Sequence, residues 1–411
     1  MKNNNTKTYI VKREIVNYSK KLSNSLSKPD RKFVLDMAYG IAATGSSKIS
    51  DISRALNENI ELINTIDRLC SNLKNFNYRK QIWNNNFDII KPLLDEKPII
   101  LFDDTDIVKE YGNKFESLGE VVDGSDTSKK VKPGYRVCNA VALTKDKQPL
   151  SIYSHLYSEK EEGFISVNDE TLKMLDYVNG KIKGGIYVGD RGFDNIKLFK
   201  KLNNIGSEFV IRGRNNRKVI NKGRNWSVST LAKTRKGKVK FKFKEFDLYV
   251  SHLKIMMKSY KPKNLNMVIV HGFSENNPMI LYTNKEIRNK DDVLEVVKLY
   301  LIRWRVEENF RLKKCEFGYE KFRVRSLNSI RNIEMFINLV MNLCTLLNSK
   351  KNTKLRIKII KAAKALRDDV DFWLYQIATG IRQILSKCDV GVKGLQKIEK
   401  RKYIHQLKLI L

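Results

Sequence analysis

Four acidic residues stand where phosphodiester chemistry would need them. Asp103 and Asp104 close the apolar run PIILFDDT, Asp190 closes GGIYVGD, and Glu307 lies within YLIRWRVEENFRLKK. Cutting a phosphodiester with two divalent ions requires carboxylates drawn to one point, so that one ion activates the attacking oxygen and the other stabilises the leaving oxygen. Hard oxygen ligands suit Mg2+, with Mn2+ able to substitute. Around Glu307, the residues Tyr300, Arg303, Glu307 and Lys314 follow at intervals of three, four and seven. On one continuous helix, at about 100° per residue, they fall within roughly 60° of each other and form a stripe about 21 Å long. Beyond Glu307 itself, neither Arg303 nor Lys314 has an acidic neighbour on that face, since Glu308 and Glu316 point to other sides, which leaves both cations for an external anion. A solvated helix face is the plainer account of the same residues, and a turn aspartate the plainer account of each acid that ends a strand.

The elements that must position these groups follow from periodicity. Short apolar runs bounded by turn residues predict strands in PIILFDDT, GYRVCNAVALT and PLSIYSHLY. A helix is expected over NDETLKMLDYVNG, then a strand in GGIYVGD, a helix in DNIKLFKKLNNIG and a strand in SEFVIRG. That order calls for a mixed sheet covered by helices, with the acids at strand ends and on a helix packed beside them. Residues 214–285 read as a basic, β-rich insertion. Within it KVKFKFKEF places Val239, Phe241 and Phe243 on one face and Lys238, Lys240, Lys242 and Lys244 on the other. The lysine row suits either DNA or the protection of an edge strand. A long helix is expected from about Asp291 through Cys315, followed by another apolar helix in SIRNIEMFINLVMNLCTLLN. The expected segments are a helical DNA-binding region over 1–92, a catalytic core over 93–213 and 286–347 split by the insertion, and a basic helical region over 348–411. Within the first, TGSSKISDISRALNENIELI fits a helix-turn-helix or a plain helical hairpin.

Composition narrows the partner. Lys and Arg number 79 against 45 Asp and Glu, a formal charge of +34. Such an excess favours a polyanion, with double-stranded DNA first. No run reaches the roughly 20 apolar residues of a membrane span, and the polar start MKNNNTKTY is not a signal peptide, so a cytoplasmic, nucleoid-associated protein without membrane contact is expected. The five cysteines are scattered and apart from the four histidines, which predicts free thiols and no zinc site.

YLIRWRVEENFRLKK resembles the Tyr-x2-Arg-x3-Glu-x6-Lys signature of a branch of DDE transposases encoded by bacterial insertion sequences, matching all four positions. DDTD resembles the strand-ending Asp-Thr of that family, which points to Asp104, while Asp103 and Asp106 read as turn aspartates. GDRGFDN resembles the second motif, with Asp190 as ligand and Arg191 beside it. The resemblance runs from about residue 97 to 330. It implies a ribonuclease-H-like core with Asp104, Asp190 and Glu307 as metal ligands, and DNA contacts from Tyr300, Arg303, Lys314 and Arg191. Because the family's insertion carries an aromatic residue that holds a flipped base, Trp226 takes that role, unless it simply packs the insertion. The implied activity is binding of the element's ends, cleavage, and joining of 3′ ends to target DNA by a homodimer. A catalytically silent DNA-binding descendant and a nuclease that only cuts are the alternatives.

Overall fold

The computed structural model describes residues 2–112, 114–122, 130–235, 237–262, 264–274, 277–349, 353–364, 370–388 and 391–392. One ten-stranded mixed sheet organises the chain. Its strands are β1 (Ile99–Val108), β2 (Gly119–Val122), β3 (Val131–Leu143), β4 (Pro149–Tyr157), β5 (Ile186–Gly189), β6 (Glu208–Arg212), β9 (Val239–Phe243), β10 (Phe246–Lys254), β11 (Asn266–His271) and β12 (Met279–Thr283). The order is β2-β3-β1-β5-β6-β12-β11-β10-β9, with β4 paired to β3, while β7 (Lys218–Asn221) and β8 (Arg224–Ser227) form a separate hairpin. β1, β5 and β6 run parallel and their flanking partners antiparallel. Most of the insertion therefore does not stand apart. Its strands β12 to β9 continue the sheet from β6, and β9 is an edge strand.

Helices cover both faces. On one lie α6 (Val167–Lys181), α7 (Ile196–Asn204) and α8 (Val228–Lys233), packed on Phe102, Phe209, Ile211, Ile269 and Tyr282. On the other lies α9 (Lys290–Leu301), whose Val293, Val296, Val297 and Tyr300 recur at helical spacing over Leu101, Val188, Val210, Val268 and Leu281. Asn289 starts α9 with a capping box, accepting from the Asp291 and Asp292 amides while the Asp292 carboxylate accepts from the Asn289 amide. Asn289→Ala should cost about 1 kcal/mol, seen as a lower denaturant midpoint with an unchanged slope.

A helical body packs beside the sheet. It contains α1 (Lys2–Leu22), α2 (Lys28–Thr44), α3 (Ile49–Leu56), α4 (Leu62–Asn75), α5 (Arg79–Ile90), α10 (Trp304–Phe317), α11 (Leu327–Asn348), α12 (Thr353–Ala363) and α13 (Leu374–Leu385). α11 is its axis. It has the length and hydropathy of a membrane span, contrary to the sequence expectation that no such run exists, but 89% of its most apolar window is buried inside the protein. Its polar residues explain the burial. Asn338 and Asn342 bond to Ser151 of β4, Thr345 to the Pro149 carbonyl, and Asn332 to the carbonyls of Leu73 and Phe76. The N-terminal helices α1 to α5 thus share one core with β1, β3 and β4 of the sheet. Of the C-terminal region, 393–411 lies outside the described residues.

Two local features depart from expectation at the positions that matter. β1 does not stop at Asp104 but continues to Val108, because Thr105 to Val108 pair with Gly134 to Val137 of β3. A side chain on Gly134 would meet the Ile107 carbonyl oxygen at 2.3 Å, so glycine permits this close pairing. The long helix is interrupted. At Ile302 and Arg303 the chain tightens through i to i+3 bonds, with Arg303 N–H to the Tyr300 carbonyl, Arg305 to Ile302 and Val306 to Arg303, which separates α9 from α10.

Candidate active site

Successive residues of a strand face opposite ways, and this decides between the two aspartates of β1. Leu101 belongs to the core under α9 and Phe102 to the core under α6 and α7. Asp103 follows Leu101, and Asp104 follows Phe102. The Asp103 carboxylate accordingly meets Arg303, with Oδ2 3.3 Å from Nη1. Asp104 faces the other side of the sheet, toward Cys138, Arg136 and Glu170. Of the two, the structure brings Asp103, and not the expected Asp104, to the side of the sheet that carries Arg303, Asp190 and Glu307. Burial pushes both carboxyls up to about 7, and for Asp103 the Arg303 guanidinium opposes that rise while Asp104 and Asp190 add to it.

Asp190 follows the carboxyl end of β5. Its Oδ1 accepts from the Tyr300 hydroxyl at 3.0 Å, and Arg212 at the end of β6 approaches to 3.9 Å. Although burial raises this carboxyl, the Arg191 amide, Arg303, Tyr300 and Arg212 together hold it below the usual value. Glu307 stands in the first turn of α10, where the helix dipole favours a carboxylate. Its Oε1 lies 2.5 Å from Nη2 of Arg303, and its side chain is 57% exposed. Arg303 therefore sits between Asp103 and Glu307, with its guanidinium 5.7 Å from the Tyr300 ring centroid. The tightened turn places Tyr300 at the end of one helix, Arg303 at the junction and Glu307 at the start of the next.

The remaining predicted residues fall at different distances from this group. Lys314 is on α10 but pairs with Glu320 at 2.8 Å, and Arg303 has two acidic partners, so neither cation is free as the sequence suggested. Glu307 is an i,i+4 neighbour of Arg303 that helix-face reasoning reaches, but Asp103 lies on a strand 200 residues away and Glu320 follows the turn at Gly318. Arg191 is exposed and lines a cleft with Asp190, Gly192, Arg214, Asn215 and Asn216. Trp226 is half-buried on β8, opposite Val219, and packs on the core under α6 and α7. The tryptophan beside Glu307 is Trp304. It lines a cavity of about 520 Å³ with Arg212, Phe243, Lys244, Phe273, Tyr300, Arg303 and Glu307. Trp304 and Arg212 escaped the sequence reading, and Asp103 was set aside there as a turn aspartate. The adjacency of Trp304 to Arg303 was visible, but only the helix junction gives it that position.

All three carboxylates offer hard oxygen donors, the chemistry magnesium takes. Among the described residues no three acidic, histidine or cysteine side chains are grouped as a metal site, because Arg303 occupies the space between Asp103 and Glu307. The five cysteines are free thiols.

No curated protein matches the chain. Among solved structures it is similar to piggyBac transposase in a synaptic complex with hairpin DNA, at 11% identity over 94% of this chain and 81% of that one, with a TM-score of 0.49. Residues 95–343, which contain Asp103, Asp190, Tyr300, Arg303 and Glu307, match the family described as transposase DDE domain, and the chain therefore belongs to the DDE transposase family.

Proposed function

We propose that this protein cuts the ends of an insertion sequence and joins their 3′ ends to target DNA, using Asp103, Asp190 and Glu307 on a ribonuclease-H-like core. The observation that carries the reading is the convergence of these residues on Arg303 and Tyr300 from β1, β5, α9 and α10. The spacing of Tyr300, Arg303, Glu307 and Lys314 supports membership of the Y-R-E-K branch. When bound, Mg2+ or Mn2+ would place positive charge on the oxygens of the scissile phosphate. The three carboxylates would hold it, and Arg303 would turn from Asp103 and Glu307 to the phosphate, which its planar fork suits. In the cut, a water oxygen bonds to phosphorus, the bond to the 3′ oxygen breaks, and that oxygen takes a proton. The freed 3′ hydroxyl repeats the displacement on target DNA. Lys314 and Arg191 contact flanking phosphates, residues 1–92 read the ends, and the acting form is a homodimer on DNA in the cytoplasm.

A silent DNA-binding descendant is the second reading, favoured by one observation: Arg303 offsets the repulsion between Asp103 and Glu307 without any metal. Incubation of the protein with DNA from either side of its gene separates the two. Mg2+-dependent strand breaks, removed by a chelator and by Glu307→Gln, support the enzyme. Tight binding with no break under any metal would establish the silent form.

Lys314→Gln supplies a smaller test. An exposed pair such as Lys314–Glu320 contributes about 0–1 kcal/mol, so the melting temperature should barely move. The log–log slope of end binding against salt should fall by about 1, as expected for one lost phosphate contact. An unchanged slope would remove Lys314 from the DNA.

A further inference from the structure

The sheet has a second basic surface, on the face turned away from Glu307. Val239, Phe241 and Phe243 of β9 point into the core under α9, together with Leu248 and Val250 of β10. Lys238, Lys240 and Lys242 therefore point the other way, and all three are exposed. Register extends the row across the sheet: Lys240 lies opposite Tyr249, and Tyr249 opposite His271. Tyr249 is 41% exposed and stands among these basic residues. Lys222, Arg235 and Lys254 line an adjoining cavity of about 500 Å³, and the His271 ring bonds to the Arg235 carbonyl. The acids nearby are Asp247, across from Lys242, and Glu245 in the turn. Lys238, Lys240 and Lys242 make no ion pair with any described residue, whereas Lys32, Lys173, Lys285 and Lys314 all do.

We propose that this face is a second nucleic-acid contact that grips the sugar–phosphate backbone of duplex DNA outside the cleavage site. The spacing fits. Alternate residues on a strand stand about 6.7 Å apart, so the three lysines span about 13 Å. One DNA strand places a phosphate every 3.4 Å or so of axis, giving roughly four in that length. The exposed Tyr249 adds a hydroxyl donor and a ring that can lie on a sugar. Lysines also guard edge strands, and the experiment below separates the two roles. The proposal extends the DNA-cutting reading but does not require it, since the surface is separate from Asp103, Asp190 and Glu307.

The test compares the wild type with the K238Q/K240Q/K242Q and K238R/K240R/K242R variants on a long duplex of unrelated sequence, across a salt series. With about 0.9 log units per phosphate, the glutamine variant should lose 2 to 3 units of slope and the arginine variant none. Mg2+-dependent cleavage of a short end duplex should be unchanged in both. An unchanged slope in the glutamine variant would overturn the proposal, and self-association in sedimentation as its sole change would assign the row to edge protection. If the wild type cuts no DNA, the proposed function fails, while the slope comparison still decides this surface.

Discussion

Asp103→Asn should abolish Mg2+-dependent cleavage, and Asp104→Asn should leave it within about threefold of wild type. The two residues are adjacent and chemically identical, so only their direction separates them. Asp103 shares a face with Arg303, Asp190 and Glu307, while Asp104 looks toward Cys138 and Glu170 across the sheet. Metal ions contribute several kcal/mol to a phosphoryl-transfer transition state. At 1.36 kcal/mol per decade, losing about 4 kcal/mol lowers the rate about a thousandfold. Asparagine keeps the shape of both side chains, so folding should survive either change. A second readout follows from the raised carboxyl of Asp104. Stability linked to its protonation is present below the ordinary aspartate range and is lost as pH rises through about 7, so Asp104→Asn should flatten stability across that window. The reverse pattern, with Asp104→Asn inactive and Asp103→Asn active, would return the ligand role to the residue the sequence motif suggested.

Lys313→Met should destabilise the protein by about 3–5 kcal/mol, the usual cost of leaving one member of a buried ion pair alone. Lys313 Nζ lies 3.0 Å from Glu334, with 1% and 3% of the two side chains exposed, and 4.1 Å from the Tyr319 ring centroid. Burial lowers the ammonium group below its usual value, and Glu334 opposes that. The Ser154 hydroxyl stands between the Glu334 carboxylate and the Asn139 Oδ1, with one proton for either acceptor, and Asn139 is the residue opposite Asp103 in the β-ladder. The pair thus ties α10, which carries Glu307, to α11 and through Ser154 to β3, the neighbour of the strand that carries Asp103. Replacing both members, as in K313M/E334L, should recover much of the loss, because an apolar pair leaves no charge stranded. Urea midpoints measure both. A loss below 1 kcal/mol in Lys313→Met would show that water or another group satisfies Glu334.

What the sequence disclosed depended on the length scale of its signal. Periodicity and turn residues located β1, β3, β4, β5, β6 and β9, and the spacing of Tyr300, Arg303, Glu307 and Lys314 marked the segment that the structure divides between α9 and α10. The choice between Asp103 and Asp104 was not readable. Ile99 to Phe102 is apolar at every position, because both faces of β1 are buried, so no alternation marks which side each aspartate takes. β2 is four residues long, too short for a pattern. The junction at Ile302 and Arg303 contains neither glycine nor proline, and its i to i+3 bonds follow from packing. Lys313 and Lys314 look alike in the sequence. One is buried against Glu334 and the other exposed beside Glu320, a difference set by residues on α11 and beyond Gly318.

The proposed reaction cuts DNA and then joins it. The most direct measurement gives the purified protein a linear duplex that carries the ends flanking its gene, Mg2+ and a target plasmid, and sequences the resulting junctions. The expected products are 3′ ends of the element joined to plasmid DNA, with a short duplication of the target at each insertion. Breaks at the ends with no joined product would reduce the protein to a nuclease, and an absence of breaks would contradict the account outright.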